Sequence, residues 1–220
     1  MLSKNIIEFL QNLKENNNRQ WFNEHKTEFD QIWKNFQEFV QVMINEIATI
    51  DSSIKSVQVK DCLFRIYRDV RFAKDKSPYK TNLGAYVVNG GRHSILAGYY
   101  IHIEPDNCMF AGGIYMPKPE VLRKIWNAIY NNPNDLKEIL NNKEYKKHYG
   151  GLSDEQYKSV PRGFPKDFPD AELLKFKSYT VGKIVPNDFY LKDNVIKEVK
   201  ELTRVMYPFN SYFNEILEEK

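Results

Sequence analysis

His102 and Glu104 stand two residues apart in "YYIHIEP", Tyr99 to Pro105. On an extended strand such residues project from one face. A histidine titrates near neutral pH, and a carboxylate beside it can hold it in place, so the pair suits general acid/base work. An isolated HxE lacks the third and fourth ligands that a zinc site needs, so no metal is assigned. The plain alternative is a hydrogen-bonded His102 and a Glu104 paired to Arg65 or Arg68.

The second chemistry is cationic. "FRIYRDVRFAKDKSPYKTN", Phe64 to Asn82, carries Arg65, Arg68, Arg71, Lys74, Lys76 and Lys80 against Asp69 and Asp75. The chain's net charge is only +3. Lys60 to Lys80 holds seven Lys/Arg and three Asp, which leaves 25 basic and 26 acidic residues elsewhere. The positive excess therefore sits in this one stretch. Arginine offers a planar fork of donors to phosphate or carboxylate, and lysine a mobile point charge. Lys74 to Lys80 reads as a loop that could turn several donors toward one anion. Tyr67, Phe72 and Tyr79 are interleaved and could stack on a base or sugar ring. Arg162, in the proline-bounded segment 160–169, could close over the same ligand. The competing reading is a solvated loop whose charges pair with nearby acids. Arg68 falls on the apolar parity of Ile66 and Val70, so it needs a bulge or a buried acidic partner; Asp69 and Glu104 are the candidates.

Gly112-Gly113 could offer backbone N–H groups to an anion, or could let strands pack closely. His25, His93 and His148 read as structural or solvated. There is no P-loop, dinucleotide fingerprint, GxSxG or HExxH, and no cofactor is expected.

The elements that must position these residues follow from period. Ile6, Phe9, Leu10 and Leu13 make a first amphipathic helix, and Phe29 to Ile47 a longer apolar stripe bounded by Asn23 and Asp51. From Val57 to Tyr115 the period becomes two, with strand candidates at 64–72, 83–88, 98–104 and 107–114. Pro105-Asp106-Asn107 is turn chemistry, so the last two form an antiparallel hairpin. With Glu104 opposite Asn107, Tyr99, Ile101, Ile103, Cys108, Phe110 and Ile114 share an apolar face for the long helix. Tyr100, His102, Glu104, Met109, Ala111 and Gly113 share the other. Helices are expected at 119–129 and 134–140, a short one through Phe176, a strand at 178–184, and two closing helices at 193–206 and 209–217.

The expected fold is α+β, a mainly antiparallel sheet with helices packed on at least one face. A single domain covers 1–220: N-terminal helices 3–50, sheet region 57–115, helical and mixed part 117–220. Cys62 and Cys108 read as reduced and buried in strand-like surroundings. No run approaches a membrane span and the N-terminus is no signal-peptide core, so no membrane partner and a cytoplasmic location are expected. Oligomeric state is left open.

"YRDVRFAKDKSPYKTNLGA", "YYIHIEP", "AGGIYMPKPE" and "VPRGFPKDFPDAELLKFKSYTV" resemble a widespread microbial family known only as domain of unknown function 2461. "NNNRQWFNEHK" and "PFNSYFNEIL" resemble its ends. The resemblance spans nearly the whole chain in the family's order and implies one domain. It implies no activity, cofactor or catalytic residue. Three functions remain in view. One is a module binding an anionic small molecule or nucleic acid. Another is an enzyme on an anionic substrate using His102 and Glu104. The last is an interaction scaffold, for which Phe72, Tyr79 and Tyr115 would be exposed together.

Overall fold

The computed structural model describes residues 2–152 and 154–218. Three helices open the chain: α1 (Asn5–Glu15), α2 (Arg19–Glu24) and α3 (Lys26–Ile47). Asn18 caps α2 by accepting from the Trp21 N–H, which satisfies one of the donors a helix start leaves open. A short α4 (Val59–Cys62) leads toward the sheet. Cys62 thus lies in a helix rather than a strand, because the period of two begins only after it.

The sheet is a meander, β1 (Leu83–Val87), β2 (Gly98–Ile103), β3 (Met109–Ile114) and β4 (Tyr179–Ile184), antiparallel throughout and in that order. His102 lies opposite Met109 and Tyr100 opposite Ala111, the register expected from the Pro-Asp-Asn turn. Asp106 takes the left-handed conformation there, φ 65°, which Asp tolerates better than most residues. Tyr99, Ile101, Ile103, Cys108, Phe110 and Ile114 are all buried.

Between β3 and β4 come α5 (Pro119–Asn131), α6 (Pro133–Asn141) and α7 (Lys143–Tyr149); α8 (Val195–Glu218) closes the chain. The expected pair of closing helices is one continuous helix running through Pro208. Proline there forfeits one backbone hydrogen bond. Burial of Val205, Met206, Phe209 and Phe213 on both sides of it holds the helix together. This helix, rather than α3, lies against β3. A Cβ on Gly112 would come within 2.2 Å of the Met206 sulfur, so glycine is what lets α8 approach the sheet. The short helix before β4 is a 3-10 turn, Ala171–Leu174. Nearly all the buried apolar side chains form one cluster from Leu2 to Leu217. Among the described residues no helix is long and apolar enough to cross a membrane.

The stretch 64–72 is not a ladder strand. It forms a hairpin arm with Pro78–Lys80: Arg68 N–H donates to the Pro78 carbonyl and Lys80 N–H to the Ile66 carbonyl. Ile66 is buried, but Phe72, of the same parity, is 96% exposed. Beyond Arg68 the arm has no neighbouring strand to enforce alternation.

Candidate functional site

The arm is anchored from the N-terminal helices. The Asn17 side chain donates to the Tyr79 carbonyl (3.0 Å) and accepts from the Tyr79 N–H (3.1 Å). One amide thus satisfies both backbone groups of one residue, as a neighbouring strand would. The Tyr79 ring stacks on Phe22 at 4.0 Å and is 4% exposed. It is a core side chain, and stacking on a ligand is closed to it. Exposed Phe72 and Tyr115 therefore lack the third aromatic that an interaction patch was expected to show.

The cations of the arm divide into two groups. Arg71 forks onto Asp69 (2.9 and 2.6 Å). Arg68 binds Asp75 (2.5 Å) and the Ser77 carbonyl (3.1 Å), in place of the Asp69 or Glu104 expected from parity. Two hydrogen bonds from Ser77, and then the Arg68 guanidinium, hold Asp75 far below the usual carboxylate range. Lys76 donates to the carbonyls of Val70 (3.0 Å) and Arg71 (3.4 Å). These three close the loop on itself. Arg65, Lys74 and Lys80 form no salt bridge among the described residues.

Lys80 differs from the other two in being half-buried, whereas Arg65 and Lys74 are exposed. Its amine sits 5.4 Å from the centre of the Phe64 ring. Burial, and then the nearby Arg65 charge, push it below the ordinary lysine value. It lines a cleft of about 380 Å³ with Lys14, Asn17, Arg68, Asp75, Ser77, Tyr79, Thr81 and Asn82. Three cations meet one carboxylate there. A second depression, at Asp106, Ile184, Val185, Pro186 and Asn187, has no cation.

His102 and Glu104 do not join that cleft, but one residue links them to it. Thr81, next to Lys80, donates to Glu104 Oε1 (3.2 Å). Glu104 Oε2 accepts from Asn107 (2.8 Å) and faces His102 Nε2 (3.1 Å). Neither Arg65 nor Arg68 pairs with it. His102 Nδ1 faces the Tyr100 hydroxyl at 2.8 Å, a contact that the His-x-Glu spacing does not reveal, although the same period of two would have included Tyr100. Burial raises the Glu104 carboxyl; hydrogen bonds from Asn107, His102 and Thr81 outweigh it and hold the carboxyl below its ordinary value. The Tyr100 phenol is pushed up to about 12 by burial, then by the charge of Glu104. His102 is 8% exposed.

Arg162 is exposed on its own loop, where its carbonyl accepts from Arg123 (2.6 Å); among the described residues no hydrogen bond or ion pair joins it to the arm. Gly112 and Gly113 pair with both β2 and β4, so close strand packing is their role. His25 stacks on Trp21, 3.9 Å between centres. Glu144, His148 and Glu201 gather with ligand atoms within 4.8 Å of one another. Arg204 forks onto Glu201 and Lys147 lies 3.8 Å from Glu144, so both carboxylates already face cations.

Against this geometry, the profile of a family described as "Conserved hypothetical protein (DUF2461)" matches residues 5–212. The chain belongs to the DUF2461 family. The match takes in the anchoring Asn17, the arm, the whole sheet and most of α8. No curated protein and no solved structure matches the chain. DUF2461 membership carries no activity, so function has to be read from the site.

Proposed function

We propose that this protein binds a small phosphorylated molecule in the cleft between the basic arm and the end of α1. The single observation that carries the reading is Lys80. A half-buried ammonium that has the face of Phe64 but no carboxylate partner has lost hydration without gaining a counter-charge; an anion supplies it. Arg68 has one nitrogen engaged with Asp75 and Ser77, and its planar fork offers further donors. Lys14 adds a mobile charge from α1, and Asn82 an amide.

The size and polarity of the cleft favour a compact hydrophilic anion over a polynucleotide. A single-strand track needs several free cations in line and rings on which bases stack. Here Arg71 and Lys76 are engaged within the arm, and the Tyr79 ring is in the core. Cys62 and Cys108 are free and buried. Burial and then Asp61 push the Cys62 thiol up to about 11, which makes it a poor nucleophile. Unpaired buried thiols are at home in a reducing compartment, in keeping with a cytoplasmic place of work.

Calorimetric titration of the full chain with inorganic phosphate and with pyrophosphate tests this. Saturable binding is expected, weakened about tenfold or more by Lys80→Gln, the loss of roughly one charge-assisted contact. Heat indistinguishable from buffer dilution, or equal affinity in the variant, defeats the reading. A single-stranded oligonucleotide that binds tighter than pyrophosphate, with affinity falling steeply with salt, would replace it with a nucleic-acid role.

A further inference from the structure

We propose that Tyr100, His102 and Glu104 form a base-activated tyrosine nucleophile on the sheet, and that the electrophile it attacks is the phosphorus of a phosphodiester. Tyr100 and His102 lie at alternate positions of β2 and Glu104 follows two residues on, just past the strand's end, so the extended backbone sets their order and spacing. Tyr100 Oη stands 2.8 Å from His102 Nδ1, and His102 Nε2 stands 3.1 Å from Glu104 Oε2. Two further donors, Asn107 and Thr81, keep Glu104 ionised and in place. An ionised Glu104 takes the Nε2 proton as its hydrogen-bond partner. That fixes the tautomer and leaves the Nδ1 lone pair facing the phenol. Nucleophile, base and orienting carboxylate are thereby in contact in sequence, the arrangement by which a weakly acidic hydroxyl is activated.

Two features separate this from an ordinary buried hydrogen-bond chain. The first is where the hydroxyl sits. A Cβ on Gly84 would come within 2.8 Å of Tyr100 Oη, so the phenol reaches its place by lying over a glycine of the neighbouring strand. The second is exposure. The base is buried, whereas Tyr100 is only partly buried, on a face where Gly182 and Ile184 are open to solvent. Tyr100 thus keeps contact with solvent while its base is shielded from water.

In the step, the Tyr100 oxygen forms a bond to phosphorus and its proton passes to His102 Nδ1. The ester oxygen leaves with the electron pair of the broken P–O bond. Glu104 stabilises the resulting imidazolium. Free tyrosinate is scarce for a phenol raised to about 12, so proton transfer and attack proceed together. The nucleophile stands on this geometry, whatever the cleft binds. The choice of a phosphodiester rests on the anion-binding reading, through Lys80 and Tyr100, which both lie against Phe64.

The test has two arms, each on the full chain. In the first, an aryl sulfonyl fluoride, which loses fluoride to an activated phenol, is added and tyrosine labelling is followed by peptide mass spectrometry. Tyr100 is expected to label at least tenfold faster than Tyr115, which is 75% exposed and serves as internal reference. His102→Gln should remove that advantage without changing Tyr115. Gly84→Ala, whose methyl would meet the hydroxyl end of the Tyr100 ring rather than backbone, should do the same in a folded protein. Equal rates for the two tyrosines, or a Tyr100 rate unchanged by both variants, overturns the nucleophile whatever the cleft binds. In the second arm the probe is bis(4-nitrophenyl) phosphate, expected to release one equivalent of 4-nitrophenolate and to leave a phosphoryl adduct on Tyr100. Lys80→Gln should slow this arm and leave the sulfonyl fluoride arm unchanged. Labelling in the first arm with no adduct in the second overturns the phosphodiester as substrate class.

Discussion

The basic arm and the β2 ladder both carry residues with evident chemistry, yet the fold treats them in opposite ways. In the arm, local pairing decides where charges go: Arg71 turns to Asp69, Arg68 to Asp75 and Lys76 to two carbonyls. In the ladder, the strand decides, and Tyr100, His102 and Glu104 meet because alternate residues share a face. A loop spends much of its charge on its own closure. A strand delivers side chains to places fixed by register. Lys80 joins the two, because it lies where the arm returns to the sheet and its backbone is paired to Ile66.

Substitutions sharpen that contrast, and the largest effect belongs to a residue that only resembles a binding group. Tyr79→Ala removes a buried ring stacked on Phe22 and should cost about 3–5 kcal/mol in denaturant unfolding; a loss below 1 kcal/mol would return Tyr79 to the ligand side of the account. His102→Ala strands the Tyr100 hydroxyl and Glu104 together. It should cost about 2–3 kcal/mol by the same measurement. Asn17→Ala frees both backbone groups of Tyr79, with an expected cost of about 1–3 kcal/mol. Faster amide hydrogen exchange should follow in the arm but not in β2; uniform change across the protein would deny that Asn17 is the arm's anchor.

Acid should act on the ladder next. The Glu104 carboxyl is held below its unfolded value, so its contribution is present above the ordinary glutamate range. It disappears as pH falls through the lower folded value. Glu104→Gln should therefore flatten part of the acid limb of the stability curve, and an unchanged limb would mean that the carboxylate is not stabilised by its three donors. The smallest effect is expected at Arg71→Gln, an exposed and water-screened pair, whose denaturant midpoint should coincide with the parent's.

The same contrast explains what could be read from the chain. The β2–β3 hairpin was legible because its turn residues and its period of two agree, and its register follows from Asn107 alone. Helix α8 misled at Pro208, since proline reports a local cost and not the buried faces that outweigh it. The arm was legible in composition but not in geometry. Arg68 finds its acid seven residues on, and Asn17 binds a residue 62 positions away; neither relation has a period. Tyr100 lay in plain view beside His102, but its part depends on Gly84 of another strand leaving room for its hydroxyl.

The ammonium of Lys80, followed by nitrogen-15 NMR as pH is raised, bears most directly on the binding site. With no ligand it should lose its proton below the ordinary lysine value, because burial and Arg65 both oppose its charge. Added inorganic phosphate should move that titration upward, since an anion favours the charged amine. A Lys80 that titrates as a free lysine does and ignores phosphate would contradict the account.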